Sequence, residues 1–205
     1  MNLLKVDHYF SEYPSSKPRF GLIKAYLRGR SFEFCTASGV FSKRRVDLGT
    51  HLLIDHMVLP ENGFLLDLGC GYGAVGVVAA ALNPHLRVFM VDVNKRAIRL
   101  ARMNARKNGA INTEFKSGFL YAPVNNMQFD VILSNPPMSA GMRIVWRAVD
   151  QAPLHLVGNG IFEIVVRSNI GGKPLANVME ETFGNVETLA RRSGYRILMS
   201  KKPKT

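Results

Sequence analysis

Alternating strand and helix signals from Thr50 onward predict an α/β fold: a Rossmann-like, doubly wound, mainly parallel seven-stranded sheet finished by an antiparallel C-terminal hairpin strand. Three observations carry that prediction. Short apolar runs bounded by Gly, Pro or Asn recur between segments of helical apolar spacing. The first run, Phe64-Leu65-Leu66-Asp67-Leu68, opens into a glycine turn, Gly69-Cys70-Gly71-Tyr72-Gly73. Two strand-like segments around Ser193-Gly194 then close the chain, the pattern of a hairpin.

Residues 1–45 read as a basic N-terminal extension packed on a main domain, residues 46–205. In the extension, the stretch from Pro14 to Pro18 is loop-like, and Phe32-Glu33-Phe34 and Gly39-Val40-Phe41 read as short strands joined by a turn. Thr50 is placed to cap a helix in which Leu52, Leu53, Ile54 and Met57 recur at helical spacing, ending near Pro60. A strand over residues 64–68 leads through the glycine turn into a helix that runs to Leu82, where Pro84 stops it. Residues 87–92 form the next strand. Residues 95–108 form a helix with Arg96, Arg99, Arg102 and Arg106 on one face and Ala97, Ile98 and Ala101 near the other, closed by Gly109. Further strands are expected at residues 112–116, 129–134 and 161–167, with helices near 143–149 and 174–183. Residues 186–190 and 195–200 make the final hairpin.

With 205 residues and 47% apolar content, the chain can bury one substantial core. The opening residues lack the apolar stretch of a signal peptide, and the most apolar segment, residues 74–82, is too short to span a bilayer, so a cytoplasmic protein without a membrane partner is expected. Cys35 and Cys70 have neither paired spacing nor a histidine cluster beside them and read as packing residues, and the five histidines show no ligand spacing, so no metal is expected. The formal net charge is +12, and it is unevenly placed. Residues 46–190 carry 12 basic and 12 acidic side chains, whereas residues 1–45 carry nine and three and residues 191–205 carry six and none. Two basic flanks around a neutral middle suit a polyanionic partner, because each neutralised phosphate releases a condensed counterion.

In a doubly wound sheet, ligands bind at the carboxyl ends of the strands where strand order reverses. Gly69 and Gly71 let backbone approach a ligand there, and the helix behind them offers unpaired N–H groups. Asp92, ending the second strand, is positioned to accept from ribose hydroxyls. Gly69, Gly71 and Ala74 also satisfy the nicotinamide dinucleotide pattern G-x-G-x-x-G/A. Asp67 separates the two cofactor classes: a carboxylate two residues before the first glycine is awkward beside a pyrophosphate and compatible with a sulfonium and an ammonium group. The most specific motif is Asn135-Pro136-Pro137-Met138, at the end of the fourth strand. A conjugated amine is a poor nucleophile and must be held facing its electrophile. The Asn135 side-chain oxygen and the Pro136 carbonyl can each accept one of its N–H bonds, with the prolines fixing the backbone between them.

These residues, together with Ser38-Gly39-Val40-Phe41-Ser42, Val46-Asp47-Leu48-Gly49-Thr50, Asp92-Val93-Asn94 and Phe183-Gly184-Asn185-Val186-Glu187, resemble the class I S-adenosylmethionine-dependent methyltransferases over nearly the whole chain. The resemblance is to the small-domain type related to the small-subunit ribosomal RNA guanine-N2 methyltransferases. It implies that Asp67, Gly69, Cys70, Gly71 and Gly73 hold the methionine part of S-adenosylmethionine. It further implies that Asp92 holds the ribose beside Val93 and Asn94, and that Ser117, Gly118 and Phe119 line the adenine, while Asn135 to Met138 face the substrate amine. Two positions depart from the family pattern. Met138 stands where an aromatic residue often stacks on the target base, which exchanges stacking for thioether contact. Phe41 and Trp146 are expected in the core, with a stacking face as their alternative use. Gly118 stands where many relatives carry an acid for the adenine amine, leaving that task to backbone groups near Phe119. The expected activity is methylation of an exocyclic guanine amine in ribosomal RNA or a ribosomal particle. The alternatives are a protein glutamine amide or adenine N6 as substrate, and a non-catalytic, cofactor-binding ribosome assembly factor.

Overall fold

The computed structural model describes residues 12, 14, 17–42, 44–136 and 141–204. A two-stranded antiparallel hairpin, β1 (Phe20–Leu27) and β2 (Arg30–Ala37), precedes the main sheet. Then follow α1 (Leu48–His56), β3 (Gly63–Leu68), α2 (Ala74–Leu82), β4 (Leu86–Asp92), α3 (Lys95–Lys107), β5 (Thr113–Ser117) and β6 (Phe129–Ser134). The chain continues through α4 (Met142–Gln151), β7 (Leu156–Arg167), α5 (Gly172–Phe183), β8 (Glu187–Arg192) and β9 (Tyr195–Lys201). The seven-stranded sheet has the order β5-β4-β3-β6-β7-β9-β8. Strands β3 to β7 are mutually parallel, and β9 and β8 complete the sheet antiparallel, as the sequence predicts. The order runs outward from β3 in one direction to β5 and from β6 in the other, so the switch point lies between β3 and β6.

Strands buried on both faces explain the continuous apolar runs of the sequence. Leu65, Val88, Met90, Val131, Leu133, Val165 and Ile197 pack on one face with side chains of α1, α2 and α3. Leu66, Phe89, Val91, Ile132, Phe162, Ile164 and Leu198 pack on the other with those of α4 and α5. The β1–β2 hairpin joins the first core through Ile23, Leu27, Phe32 and Phe34. Its main chain is tied to α3 by two asparagines one turn apart. The Asn104 side chain accepts from Cys35 N at 2.7 Å and donates to Cys35 O and Tyr72 O. Asn108 accepts from Glu33 N at 3.0 Å and donates to Glu33 O at 2.8 Å. Two side-chain amides thus continue the β2 hydrogen-bond ladder.

Three local expectations are corrected. Gly39-Val40-Phe41 is not a strand. Gly39 adopts φ 75°, and the hairpin partner of residues 32–34 is instead β1, turned at Arg28-Gly29. Asp47 rather than Thr50 caps α1: its side chain accepts from Gly49 N at 2.9 Å and Thr50 N at 3.3 Å, and the helix ends at His56. Strand β7 starts at Leu156, ahead of the predicted Ile161. One buried acid lies away from the switch point. Glu163 in β7 is fully buried, accepts from Val58 N at 2.9 Å through Oε1, and has no partner at Oε2. Burial pushes its carboxyl up to about 8, against the opposing pull of Val58 N–H and Arg28.

Candidate active site

Two adjoining cavities open at the carboxyl ends of β3, β4 and β6, and Gly69 lines both. The first is apolar. Leu68, Val91, Val93, Phe119, Leu120, Ile144 and Ala148 line it together with Asp92, Gly118, Ser134 and Pro136. The second holds Phe41, Thr50, Asp67, Cys70, Gly71, Tyr72 and Asn135. The β3 and β6 exits are tied directly, since Ser134 Oγ donates to Leu68 O at 2.9 Å.

The glycine turn takes its shape from its residues. Gly69, Gly71 and Gly73 adopt φ of 76°, 57° and 88°, a region that other residues enter only at a cost. A Cβ at Gly69 or Gly71 would meet nothing within 4 Å, so both glycines face open space. Gly73 is different: a Cβ there would lie 2.9 Å from Ala101 Cβ, so this glycine lets α2 and α3 pack rather than lining a cavity. Asp67 is buried and accepts from Gly76 N at 2.8 Å in the first turn of α2. Burial raises its carboxyl to about 7, the Gly76 N–H opposing and Asp92 adding to the rise. Asp92 accepts from Gly71 N and Asn94 N, each at 2.8 Å, and burial still holds it up at about 6. Cys70 is a buried thiol raised well above its ordinary value by desolvation, which suits packing rather than nucleophilic chemistry.

The Asn135 side chain is held at its nitrogen. Its Nδ2 donates to Thr50 Oγ1 at 2.7 Å and lies 3.4 Å from Asp47 Oδ2. A carboxylate only accepts, so the amide nitrogen must face Asp47 and the amide oxygen must turn away from it. Tyr195 supports Asp47 from behind, with its hydroxyl 3.5 Å from Oδ1.

The remaining expected residues separate by place. Val93, Gly118 and Phe119 line the apolar cavity, and the Arg147 guanidinium stands 5.3 Å over the Phe119 ring. A Cβ on Gly118 would lie 2.4 Å from Pro123 Cγ, so an acid has no room there. Asn94 is buried and caps α3, accepting from Arg96 N and Ala97 N while its Nδ2 donates to Gly39 O. Ser117 ends β5 beside Asp92, outside both cavities. Pro137 and Met138 lie outside the described residues. Phe41 and Trp146 are not core residues: Phe41 lines the second cavity with Asn135, and Trp146 is exposed on α4. Residue chemistry alone does not single out Asp47, Tyr72 or Tyr195, and local sequence marks Thr50 only as a helix cap. Among the described residues, no helix is long and apolar enough to cross a membrane, and no three metal-ligating side chains gather.

Comparison with known proteins places this geometry in a family. The model of the methyltransferase small domain matches residues 31–199. The uncharacterized protein YbxB of Bacillus subtilis (strain 168) is 38% identical over 198 residues, covering 96% of this chain and 98% of that protein. Ribosomal RNA small subunit methyltransferase C of Cronobacter sakazakii is 34% identical over 166 residues, 79% of this chain and 47% of that protein. The structure of the 16S rRNA N2 methyltransferase RsmC of T. thermophilus, in complex with AdoMet and guanosine, superposes with a TM-score of 0.79 at 26% identity. That match covers 92% of this chain and 52% of that one. The chain therefore spans about half the length of the ribosomal RNA methyltransferases it matches. With the matched family model extending over both cavities and the switch point between them, the chain belongs to the methyltransferase small domain family and is an S-adenosylmethionine-dependent methyltransferase.

Proposed function

We propose that this enzyme methylates the exocyclic amine of a guanine in ribosomal RNA. The carrying observation is the Asn135 amide, whose nitrogen is committed to Thr50 and Asp47 so that its oxygen is left to accept from a substrate N–H. Relatives named as ribosomal RNA small subunit methyltransferases support the substrate class, as does the basic charge of the chain.

When bound, S-adenosylmethionine supplies an electrophilic methyl group on a positively charged sulfur. The residues present fit it. Asp67 and Asp92 are buried carboxylates whose raised values fall once a cation or a hydroxyl donor arrives, and Gly69 and Gly71 leave the space beside them clear. In this reading Asp67 and the turn from Gly69 to Gly71 hold the methionine part, Asp92 with Val93 the ribose, and Gly118 and Phe119 the adenine side, while Gly73, Asn94 and Ser117 shape those walls from outside the cavities. The apolar lining of the first cavity suits a flat heteroaromatic ring. Asn135 Oδ1 and the Pro136 carbonyl accept the two N–H bonds of the amine, and the nitrogen lone pair is turned across the cleft. Positioning does most of the catalysis, and no strong base is required. A base inside a helix cannot enter so recessed a site, so the guanine is unpaired or flipped.

The test is incubation with labelled S-adenosylmethionine and small ribosomal subunits from a strain lacking the enzyme, followed by nucleoside mass spectrometry. N2-methylguanosine is expected, and Asn135→Ala is expected to lower kcat on the order of 100-fold. Label that survives RNase treatment in protein would replace this reading with glutamine methylation, and cofactor binding without any product would leave an assembly factor.

A further inference from the structure

The basic C-terminal flank does not stay in one place. Strand β7 runs toward the catalytic edge and ends there at Arg167, directly opposite Tyr195, the first residue of β9. The β8–β9 turn therefore sits on the same edge as Asn135, carrying Arg191 and Arg192. By contrast Lys201 pairs with Ile161 at the other end of the ladder, and Lys202 Nζ donates to Leu156 O. Six residues of extended strand separate the two groups by about 20 Å. The basic C-terminal segment is thus divided, half beside the site and half behind it.

The catalytic half is unneutralised. Arg44, Arg45, Arg167, Arg191 and Arg192 are exposed, and among the described residues none of them forms an ion pair. Arg45 lies two residues before Asp47, whose carboxylate meets both Asn135 and Tyr195. Arg191 stands directly across the ladder from Arg196, a like-charge pair that costs stability. Arg167 Nε donates to Tyr195 Oη at 3.1 Å with its guanidinium over that ring, and Tyr195 in turn reaches Asp47 behind Asn135. At the opposite edge the charges mix, for Asp150 ends α4, Glu180 and Glu181 end α5, and Glu187 begins β8.

We propose that the β8–β9 turn, with Arg167 and the Arg44-Arg45 segment, is the docking surface for the phosphate backbone of the substrate RNA, and that the Lys201–Lys204 end is not. The proposal rests on the RNA reading above and assigns its surface. Arginine forks match phosphate oxygens bidentately, and a turn that projects past the sheet edge presents two of them beside the amine-binding wall.

The test compares Arg191→Gln/Arg192→Gln and Arg191→Glu/Arg192→Glu with Lys201→Glu/Lys202→Glu/Lys204→Glu. Affinity for small ribosomal subunits is measured across a salt series, with cofactor affinity by calorimetry and the melting temperature alongside. The turn variants should lose roughly tenfold or more in RNA affinity at 0.1 M salt, the glutamate pair more than the glutamine pair. Their salt slope should fall by about 2, roughly one per lost phosphate contact, with cofactor affinity unchanged. The lysine variant should stay within about twofold. Equal losses in both sets, or a loss confined to the lysine set, overturns the docking surface while RNA methylation by the unaltered enzyme still stands. Absence of RNA methylation by the unaltered enzyme instead removes the RNA reading itself.

Discussion

Asn135 owes its orientation to the first turn of a helix whose cap lies 88 positions earlier, since Asp47 caps α1 and Thr50 projects from it. Thr50 is thus a positioning residue rather than a cap. Replacing it with Val removes the acceptor at 2.7 Å and frees the amide to rotate, which is expected to lower kcat by roughly 10- to 100-fold while cofactor affinity holds. Thr50→Ser restores the hydroxyl and should recover most of the loss. A kcat unchanged in Thr50→Val, or a Ser variant as impaired as Val, would remove this role. The site was legible where chemistry and strand ends coincide in local sequence, as at Asp67, Gly69, Asp92 and Asn135. Thr50 and Tyr195 were not legible because their contacts at the site cross 85 and 148 positions, separations that no local pattern encodes.

The parallel strands were readable because burial on both faces leaves continuous apolar runs, whereas β1 hides its pattern. Phe20, Leu22 and Tyr26 point outward on it while Ile23 and Leu27 point inward, so apolar residues occupy both faces of a strand that is covered on one. The start of β7 is masked likewise by Gly158-Asn159-Gly160, which reads as a turn. The attachment of the hairpin to α3 rests on polar side chains that amphipathic patterning treats as surface. Asn104→Ala leaves Cys35 N and Cys35 O, both half-buried, and the buried Tyr72 O without their partner. A loss of about 2–4 kcal/mol is expected from chemical denaturation, with hydrogen exchange accelerated in β2 before the central strands. Uniform acceleration across the sheet would show that the hairpin is not a separable layer.

Across the whole molecule, stability and pH are linked through Glu163. Its native value near 8 lies above the ordinary 4.5, so between those limits the folded chain binds more protons than the unfolded one. The stabilisation is complete below about pH 4.5 and is lost as pH rises through about 8. Glu163→Gln removes the titration, and melts from pH 5 to 9 should show a shallower decline, with a relative gain of a few kcal/mol at the alkaline end. Identical slopes in both proteins would assign the dependence elsewhere.

The tie between Ser134 Oγ and Leu68 O fixes two adjacent strand exits to one another, one interstrand spacing of about 4.8 Å apart. On the proposed reading the methyl donor lies at the first exit and the acceptor at the second, so strand pairing sets the reach of the transfer, leaving the surrounding loops free to diversify recognition without retuning the reaction coordinate.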